Sequence, residues 1–372
     1  MKTIAIDLSP AELNPAGIGI YTINLTQKLI DLDKKNKYLL YTTLPFDKIK
    51  FNSDRVENVV IPFPKKYRAR GIRWMMNVTK DLKARKVDLL LSYSNHFFSL
   101  SYPNTVQFIH DLAPIKYPKF FPVKARMIYP FTTRMALQKA KKVVTVSNTV
   151  KKELQSLWKM PNDKVEIVYP ARNELAHITN DNYQAAKPLD LPKKYLLSVG
   201  TLEPRKNLDA AIKAFAKLRQ EQKIDLEIKY VIAGKKGWYY KDIFKLVSSL
   251  GLENDVVFAG YVADDLMPEV FKNAIAFIYL SHYEGFGMPA LEALTYNKPT
   301  LLSDIPVLKE SFVSWAKFAN PNNVEEIAEK LVRVINGKKK NVADAVMEKF
   351  SWELSANKLL GIIEQLTKTT KK

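Results

Sequence analysis

Two successive α/β halves, each a mostly parallel sheet with helices on both faces, are what this sequence predicts. Three observations carry that prediction. Apolar runs of strand length alternate with helix-like stretches from the N-terminus onward. A polar stretch, Arg172–Lys194, then breaks the alternation with Asn173, Thr179-Asn180-Asp181-Asn182, Pro188 and Pro192. The alternation restarts at Tyr195–Gly200 and continues through Pro299–Ser303. Strands buried on both faces read as continuous apolar runs, and crossover helices make them parallel. The expected divisions are residues 1–172, a linker 173–194, a second half 195–350, and a terminal segment 351–372. In doubly wound sheets ligands collect outside the carboxyl ends of the strands, here in a crevice between the halves.

Taken in order, Lys2–Ser9 (KTIAIDLS) reads as a buried strand, followed by a loop from Pro10–Pro15 to Gly17-Ile18-Gly19. Ile20, Ile23, Leu25, Leu29 and Ile30 then recur near helical spacing. Strand, glycine loop and helix is how α/β proteins bring backbone close to a phosphate or sugar, and equally how they make a tight connection. Strand-like runs follow at Tyr38–Thr43, Val56–Phe63, Val87–Tyr93, Val106–His110, Lys142–Ser147 and Val165–Val168. Helix-like stretches at Arg70–Ala84, Lys124–Ala140 and Val150–Trp158 separate several of them. The second half offers strands at Ile228–Gly234, Val256–Tyr261 and Ala276–Ser281. A last helix, Ser351–Leu366, has Ser351 as N-cap and Leu354, Leu359, Leu360, Ile363 and Leu366 as its apolar residues.

With 372 residues, the chain is long enough for two cores. A hydrophobic fraction of 47% and a charged fraction of 26% are those of a globular protein. Nothing approaches the roughly 20 apolar residues a spanning helix needs. Asp7 and Pro10 interrupt the place where a signal peptide would be apolar. The absence of cysteine excludes disulfides, zinc–thiolate sites and thiol catalysis, and fits a cytoplasmic protein. The net charge is +20, and it is concentrated. Residues 1–186 hold 30 Lys and Arg against 15 Asp and Glu, whereas residues 187–372 hold 28 against 23. Anionic substrates, anionic lipid and nucleic acid all suit such a surface. Two segments mix cations with aromatics. One has Lys65, Lys66, Tyr67 and Arg68, and the other Lys116, Lys119, Phe120, Phe121 and Lys124. They are read as a substrate- or membrane-facing surface; no nucleic-acid module accompanies them, so no nucleic-acid partner is expected.

Four stretches carry candidate chemistry. In Glu284-Gly-Phe-Gly-Met-Pro-Ala-Leu-Glu292 the glycines permit close backbone approach, and Pro289 suits the first turn of a helix. Free N–H groups at such a helix start favour anionic or hydroxyl-rich ligands. Arg205-Lys206, after Gly200 and before a helix pattern, places two cations where the dipole prefers acids, which a bound anion would explain. His110-Asp111 stands at a strand's carboxyl end in a chain with only four histidines. Ser147 reads as a helix N-cap.

These residues resemble retaining glycosyltransferases of the GT-B fold, specifically glycosyltransferase family 4. Glu284-x7-Glu292 resembles that family's paired-glutamate motif, Thr201–Asn207 its diphosphate loop, and His110-Asp111-Leu112 the segment whose histidine approaches the transferred sugar from the opposite domain. The resemblance spans nearly the whole chain. It implies two Rossmann-like domains facing a central cleft, a nucleotide-diphosphate sugar as donor substrate, no cofactor and no metal. It further implies that Glu284, His110, Arg205 and Lys206 act in catalysis. Gly17, Gly19, Gly200, Phe286, Gly287, Met288 and Glu292 would join Arg205 and Lys206 in donor binding, with Glu292 on the ribose. Glu284 would orient the sugar or stabilise its positive charge, while a donor phosphate oxygen takes the acceptor proton in front-face attack. The terminal helix is expected to return to the first domain. Two departures stand out: the family's arginine after the glycine is Thr201 here, and the glycines common after Ser303-Asp304 are replaced by Ile305-Pro306-Val307. The segment Thr-Leu-Glu-Pro-Arg-Lys-Asn looks most like mannosyl- and rhamnosyltransferase members. It points to GDP-mannose as donor and a glycan or lipid-linked glycan as acceptor, at the cytoplasmic face of a membrane. The alternatives are a rhamnosyl- or glucosyltransferase using a dTDP- or UDP-sugar, a nucleotide-sugar epimerase or phosphorylase of the same plan, and a basic nucleic-acid-binding protein.

Overall fold

The computed structural model describes residues 1–13, 17–45, 54–63, 70–93, 97–121, 123–174, 189–338 and 340–368. Two compact units result: Met1–Asn173 with Phe350–Lys372, and Glu174–Lys349.

The first unit is built on a parallel sheet of β1 (Thr3–Asp7), β2 (Lys37–Thr42), β3 (Val56–Val60), β4 (Leu89–Ser92), β5 (Thr105–Ile109), β6 (Lys142–Thr145) and β7 (Val165–Ile167). Its order is β3-β2-β1-β4-β5-β6-β7, all parallel, so the order in which strands are added reverses between β1 and β4. Every residue of β4, β5 and β6 is buried, which explains why these runs are mostly apolar. On one face Trp74, Val78 and Leu82 of the helix Arg70–Ala84 pack on Ala5, Leu39, Tyr41 and Leu90. On the other, the helix Trp352–Thr367 packs against the helix Gly17–Leu32. That terminal helix is tied down by two donors: Trp352 Nε1 donates to the Arg172 carbonyl at 2.7 Å, and Ser355 Oγ to the Tyr169 carbonyl at 2.6 Å. Ser351 caps it, accepting from the Leu354 amide.

The second unit repeats the plan with β8 (Tyr195–Val199), β9 (Lys229–Ala233), β10 (Val256–Gly260), β11 (Ala276–Tyr279), β12 (Thr300–Ser303) and β13 (Lys317–Ala319). The order is β10-β9-β8-β11-β12-β13, all parallel, and the reversal lies between β8 and β11. The helix Leu208–Gln220 buries Leu208, Ala211, Ile212, Phe215 and Leu218 against this sheet.

The local structure departs from the sequence reading in three places. Pro10 does not open a loop: Ser9–Leu13 is a helical turn, with Asp7 Oδ1 accepting from both the amide and the hydroxyl of Ser9. Gly17-Ile18-Gly19 forms the first turn of the helix Gly17–Leu32, not a loop before it; glycine permits a loop but does not forbid helical φ and ψ, costing only about 0.5–1 kcal/mol in backbone entropy relative to alanine. β13 had no sequence signal, being three residues with an exposed lysine at its start.

Candidate functional site

In the second unit the carboxyl ends of β8 and β11, the two strands at the reversal, converge on one charged cluster. Gly200, just after β8, has φ +153°, and a Cβ there would sit 3.4 Å from Lys206 Cε. The chain then makes a 3₁₀ turn, Pro204–Lys206, and passes through Asn207 in the left-handed region at φ 54° before the helix Leu208–Gln220 begins. The two cations therefore precede the α-helix instead of occupying its first turn, where Asp209 complements the dipole. Asn207 locks this arrangement, its Nδ2 donating to the Leu280 and Pro321 carbonyls at 3.0 and 2.8 Å.

Glu284 stands between the cations. Lys206 Nζ lies 2.7 Å from its Oε1 and Arg205 Nη1 3.1 Å from its Oε2. Arg205 is held on its other side by Glu203, whose Oε1 accepts from Nε at 2.9 Å and lies 2.6 Å from Nη2. Arg205 Nη1 also donates to the Tyr283 carbonyl at 2.8 Å. Lys206 donates to the Tyr279 hydroxyl at 2.8 Å, so two of its three N–H donors are engaged. Its side chain is 11% exposed and that of Glu284 8%, so this is a nearly dry two-by-two ion cluster. Burial by itself would raise the Glu284 carboxyl, but the Arg205 guanidinium and the Lys206 ammonium outweigh it and hold it at about 2. Burial lowers the Lys206 ammonium, against the pull of Glu284 and with the repulsion of Arg205. The charge preference of the cluster is expressed on Glu284, because two cations face that one carboxylate. Glu203, Asn207 and Tyr279 were not singled out from sequence. Only the density of charge around Pro204 signals Glu203.

The turn after Glu284 leads to the helix Met288–Thr295, with Pro289 in its first turn. Gly287 has φ +106°, and a Cβ there would lie 2.7 Å from Leu308 Cδ2. Phe286 packs its ring edge-on against Phe312 at 5.5 Å, so its side chain belongs to the core and only its backbone can serve a donor. Met288 opens the helix, and Glu292, half-buried, sits in the second turn. Ser303 ends β12 and donates to the Ser281 carbonyl at 2.7 Å, while Asp304 pairs with Lys309.

In the first unit His110 follows β5. Its Nε2 meets the Tyr93 carbonyl at 3.0 Å; a carbonyl only accepts, so Nε2 carries the hydrogen and Nδ1 is the acceptor nitrogen of the neutral ring. Burial lowers the imidazole's pKa, favouring that neutral form. The ring stands edge-on to Tyr21 at 5.1 Å. Gly17 and Gly19 lie at the start of the helix Gly17–Leu32, and Ser147 caps Asn148–Trp158 by accepting from the Val150 amide. Lys116 lies 3.7 Å from Glu153. Tyr117 stacks on Phe120, Lys119 lies over the Phe120 ring, and Phe121 is half-buried, so this segment folds on itself. Lys124 falls in the helix Val123–Lys139. Lys65, Lys66, Tyr67 and Arg68 lie outside the described residues.

A parallel two-sheet chain with a cationic loop facing a glutamate at a strand-order reversal is the architecture of GT-B glycosyltransferases. The model for glycosyltransferase family 4 matches residues 15–173, and that for glycosyl transferases group 1 matches residues 179–345. The O-antigen chain mannosyltransferase RfbU of Salmonella typhimurium is 26% identical over 308 residues, 78% of this chain and 81% of its own. The O-antigen chain mannosyltransferase B of Escherichia coli is 26% identical over 281 residues, covering 72% and 71%. Among solved structures, Anabaena HepE in complex with UDP and glucose superposes with a TM-score of 0.74 at 16% identity, covering 98% of this chain and 99% of that one. A glycosyltransferase from Rickettsia africae superposes at 0.70 with 18% identity and 99% of both chains. The chain belongs to the family 4 glycosyltransferases.

Proposed function

We propose that this enzyme retains anomeric configuration and moves a hexose, mannose from GDP-mannose, onto a hydroxyl of a glycan or lipid-linked glycan. The observation that carries the reading is the Arg205–Lys206 pair facing Glu284 at the sheet reversal of the second unit. As the bond from sugar C1 to phosphate oxygen breaks, charge develops on the leaving diphosphate, where preorganised cations are most effective. Lys206 offers its third N–H, and Arg205 exchanges part of its contact with Glu284 for a phosphate oxygen. Glu284, ionised throughout the neutral range, is then free to face the positive charge on the sugar. The acceptor oxygen attacks the face the diphosphate leaves, and a phosphate oxygen takes its proton. His110 serves the sugar through Nδ1. Mannose is favoured because relatives covering most of this chain are mannosyltransferases of O-antigen chains. Supporting evidence for a uridine donor would be the UDP bound by HepE.

A thermal-shift panel of GDP, UDP and dTDP, followed by product analysis with the matching sugar nucleotide, tests this. GDP should raise the melting temperature most, and GDP-mannose should yield an α-linked product. A β-linked product overturns retention, and selective stabilisation by UDP or dTDP overturns the donor. Glu292→Ala should weaken nucleoside diphosphate binding roughly tenfold, the loss of about one charge-assisted hydrogen bond. Unchanged affinity in isothermal titration would remove Glu292 from the ribose site.

A further inference from the structure

His110 follows β5 and Tyr93 follows β4, neighbouring strands, so both stand outside the carboxyl ends where the ligands of such sheets collect. The bond from His110 Nε2 to the Tyr93 carbonyl fixes the tautomer, but a ring held through one nitrogen can still pivot about that bond. Asp111, whose carboxylate could supply a second anchor, faces elsewhere: its Oδ1 accepts from the Ala113 amide at 2.9 Å.

What meets the imidazole is the ring of Tyr21, in the second turn of the helix Gly17–Leu32. The two ring centroids lie 5.1 Å apart and the planes cross at 83°. Such a contact sets the positive edge of one ring against the negative face of the other, so it holds orientation as well as distance. Tyr21 is itself buried and firmly seated. Its hydroxyl donates to the Val168 carbonyl at 3.0 Å, and its ring meets those of Tyr93 and Phe108, each at 6.1 Å, and that of Trp352 at 5.6 Å. Tyr93 closes a circuit: its carbonyl takes the histidine's hydrogen, while its ring abuts the ring that holds the histidine's plane. Trp352 carries the support to the terminal helix, since its Nε1 donates to the Arg172 carbonyl. Core packing alone could be met by any large apolar side chain. A fixed imidazole plane calls for a second ring.

We propose that Tyr21 is the positioning residue of His110, its ring holding the imidazole plane so that Nδ1 faces the transferred sugar. The proposal rests on the reading in which His110 serves that sugar; Tyr21 acts through the histidine and not on the substrate. The Tyr21 ring is also part of the burial that lowers the imidazole's pKa, whereas the Tyr93 carbonyl and the charge of Asp111 raise it. Tyr93 adds a second phenol behind Tyr21. Loss of the Tyr21 ring should therefore let the histidine titrate higher, toward the ordinary value of about 6.5.

The test compares Tyr21→Phe with Tyr21→Met in the full chain. Both lose the bond to Val168 and only the second loses the ring; Tyr21→Leu takes its place if Tyr21→Met does not fold. Heteronuclear NMR of the histidine rings reads tautomer and titration directly, and His110→Ala assigns the signal among the four histidines. Tyr21→Phe should keep the wild-type Nε2–H tautomer and titration, whereas Tyr21→Met should mix tautomers and titrate toward about 6.5. In turnover of the sugar nucleotide that the thermal-shift panel selects, Tyr21→Met should lower kcat roughly ten- to hundredfold with the donor KM little changed, and Tyr21→Phe should restore it. In the His110→Ala background Tyr21→Met should cost almost nothing further, because the two act as one unit. An unaltered histidine signal in Tyr21→Met overturns the proposal, as does a Tyr21→Phe that behaves like Tyr21→Met. Additive losses in Tyr21→Met/His110→Ala overturn it too, while leaving the reading of His110 intact. Wild-type turnover in His110→Ala removes that reading instead, and the positioning role with it.

Discussion

Removing Lys206 takes a cation from a carboxylate with almost no access to water. Arg205 remains on the other carboxylate oxygen, so Lys206→Met should cost about 1–3 kcal/mol of stability, less than breaking an isolated buried pair. If Lys206 holds the diphosphate as proposed, nucleoside diphosphate affinity should fall further, roughly ten- to hundredfold. Chemical denaturation and isothermal titration measure the two effects separately. Wild-type affinity in Lys206→Met would take the loop Thr201–Asn207 out of the diphosphate site. Glu284 adds a pH dependence whose sign follows from its depressed pKa. An unfolded glutamate titrates near 4.5, and the folded carboxyl at about 2. The stabilisation is therefore complete above pH 4.5 and lost as pH falls toward 2. Glu284→Gln should flatten that acid limb of the stability curve; a limb of unchanged steepness would show that other carboxylates govern it.

At the scale of elements, the turn Glu284–Gly287 and the helix Met288–Thr295 depend on one backbone angle. Gly287→Ala combines a positive φ with a Cβ 2.7 Å from Leu308 Cδ2, and should cost about 1–3 kcal/mol. Adding Leu308→Ala removes the collision but not the backbone strain. The double variant should thus be less destabilised than the sum of its parts, which a thermodynamic cycle on four proteins checks; strict additivity would mean the collision is relieved some other way. The strands of both sheets were legible because parallel strands buried on two faces leave unbroken apolar runs, as Ala276–Tyr279 shows. β13 was not, because Lys317-Phe318-Ala319 is too short for any pattern. The pairing of Arg205 with Glu203 was equally hidden. Residues two apart in sequence meet only because the extended Glu203 precedes a 3₁₀ turn, and no spacing rule encodes that. Arg205, Lys206 and Glu284 were legible through their motifs, but their mutual contact across 78 and 79 residues was a property of the strand order.

At the scale of the molecule, the chain leaves its first unit at Asn173 and re-enters it at Phe350, so that unit is completed only when the last helix has been made. The helix Trp352–Thr367 contributes Trp352, Ala356, Leu359 and Ile363, all nearly or fully buried, and its partner is the helix Gly17–Leu32 at the other end of the sequence. Leu359 is fully buried, so Leu359→Ala removes apolar contact and leaves a cavity, at a cost of about 2–5 kcal/mol. The cost should appear locally. Amide hydrogen exchange ought to quicken in Gly17–Leu32 and in β1, which carry the contacts of the first unit's core, because opening now starts from a weaker helix pair. An exposed position on the same helix, Leu354, gives the comparison: Leu354→Ala should leave exchange in Gly17–Leu32 unchanged. Equal protection of Gly17–Leu32 in the wild type and in Leu359→Ala would mean that the terminal helix rests on the unit without stabilising it. The two hydrogen bonds from Trp352 and Ser355 to the carbonyls of Arg172 and Tyr169 would then be what holds the segment in place.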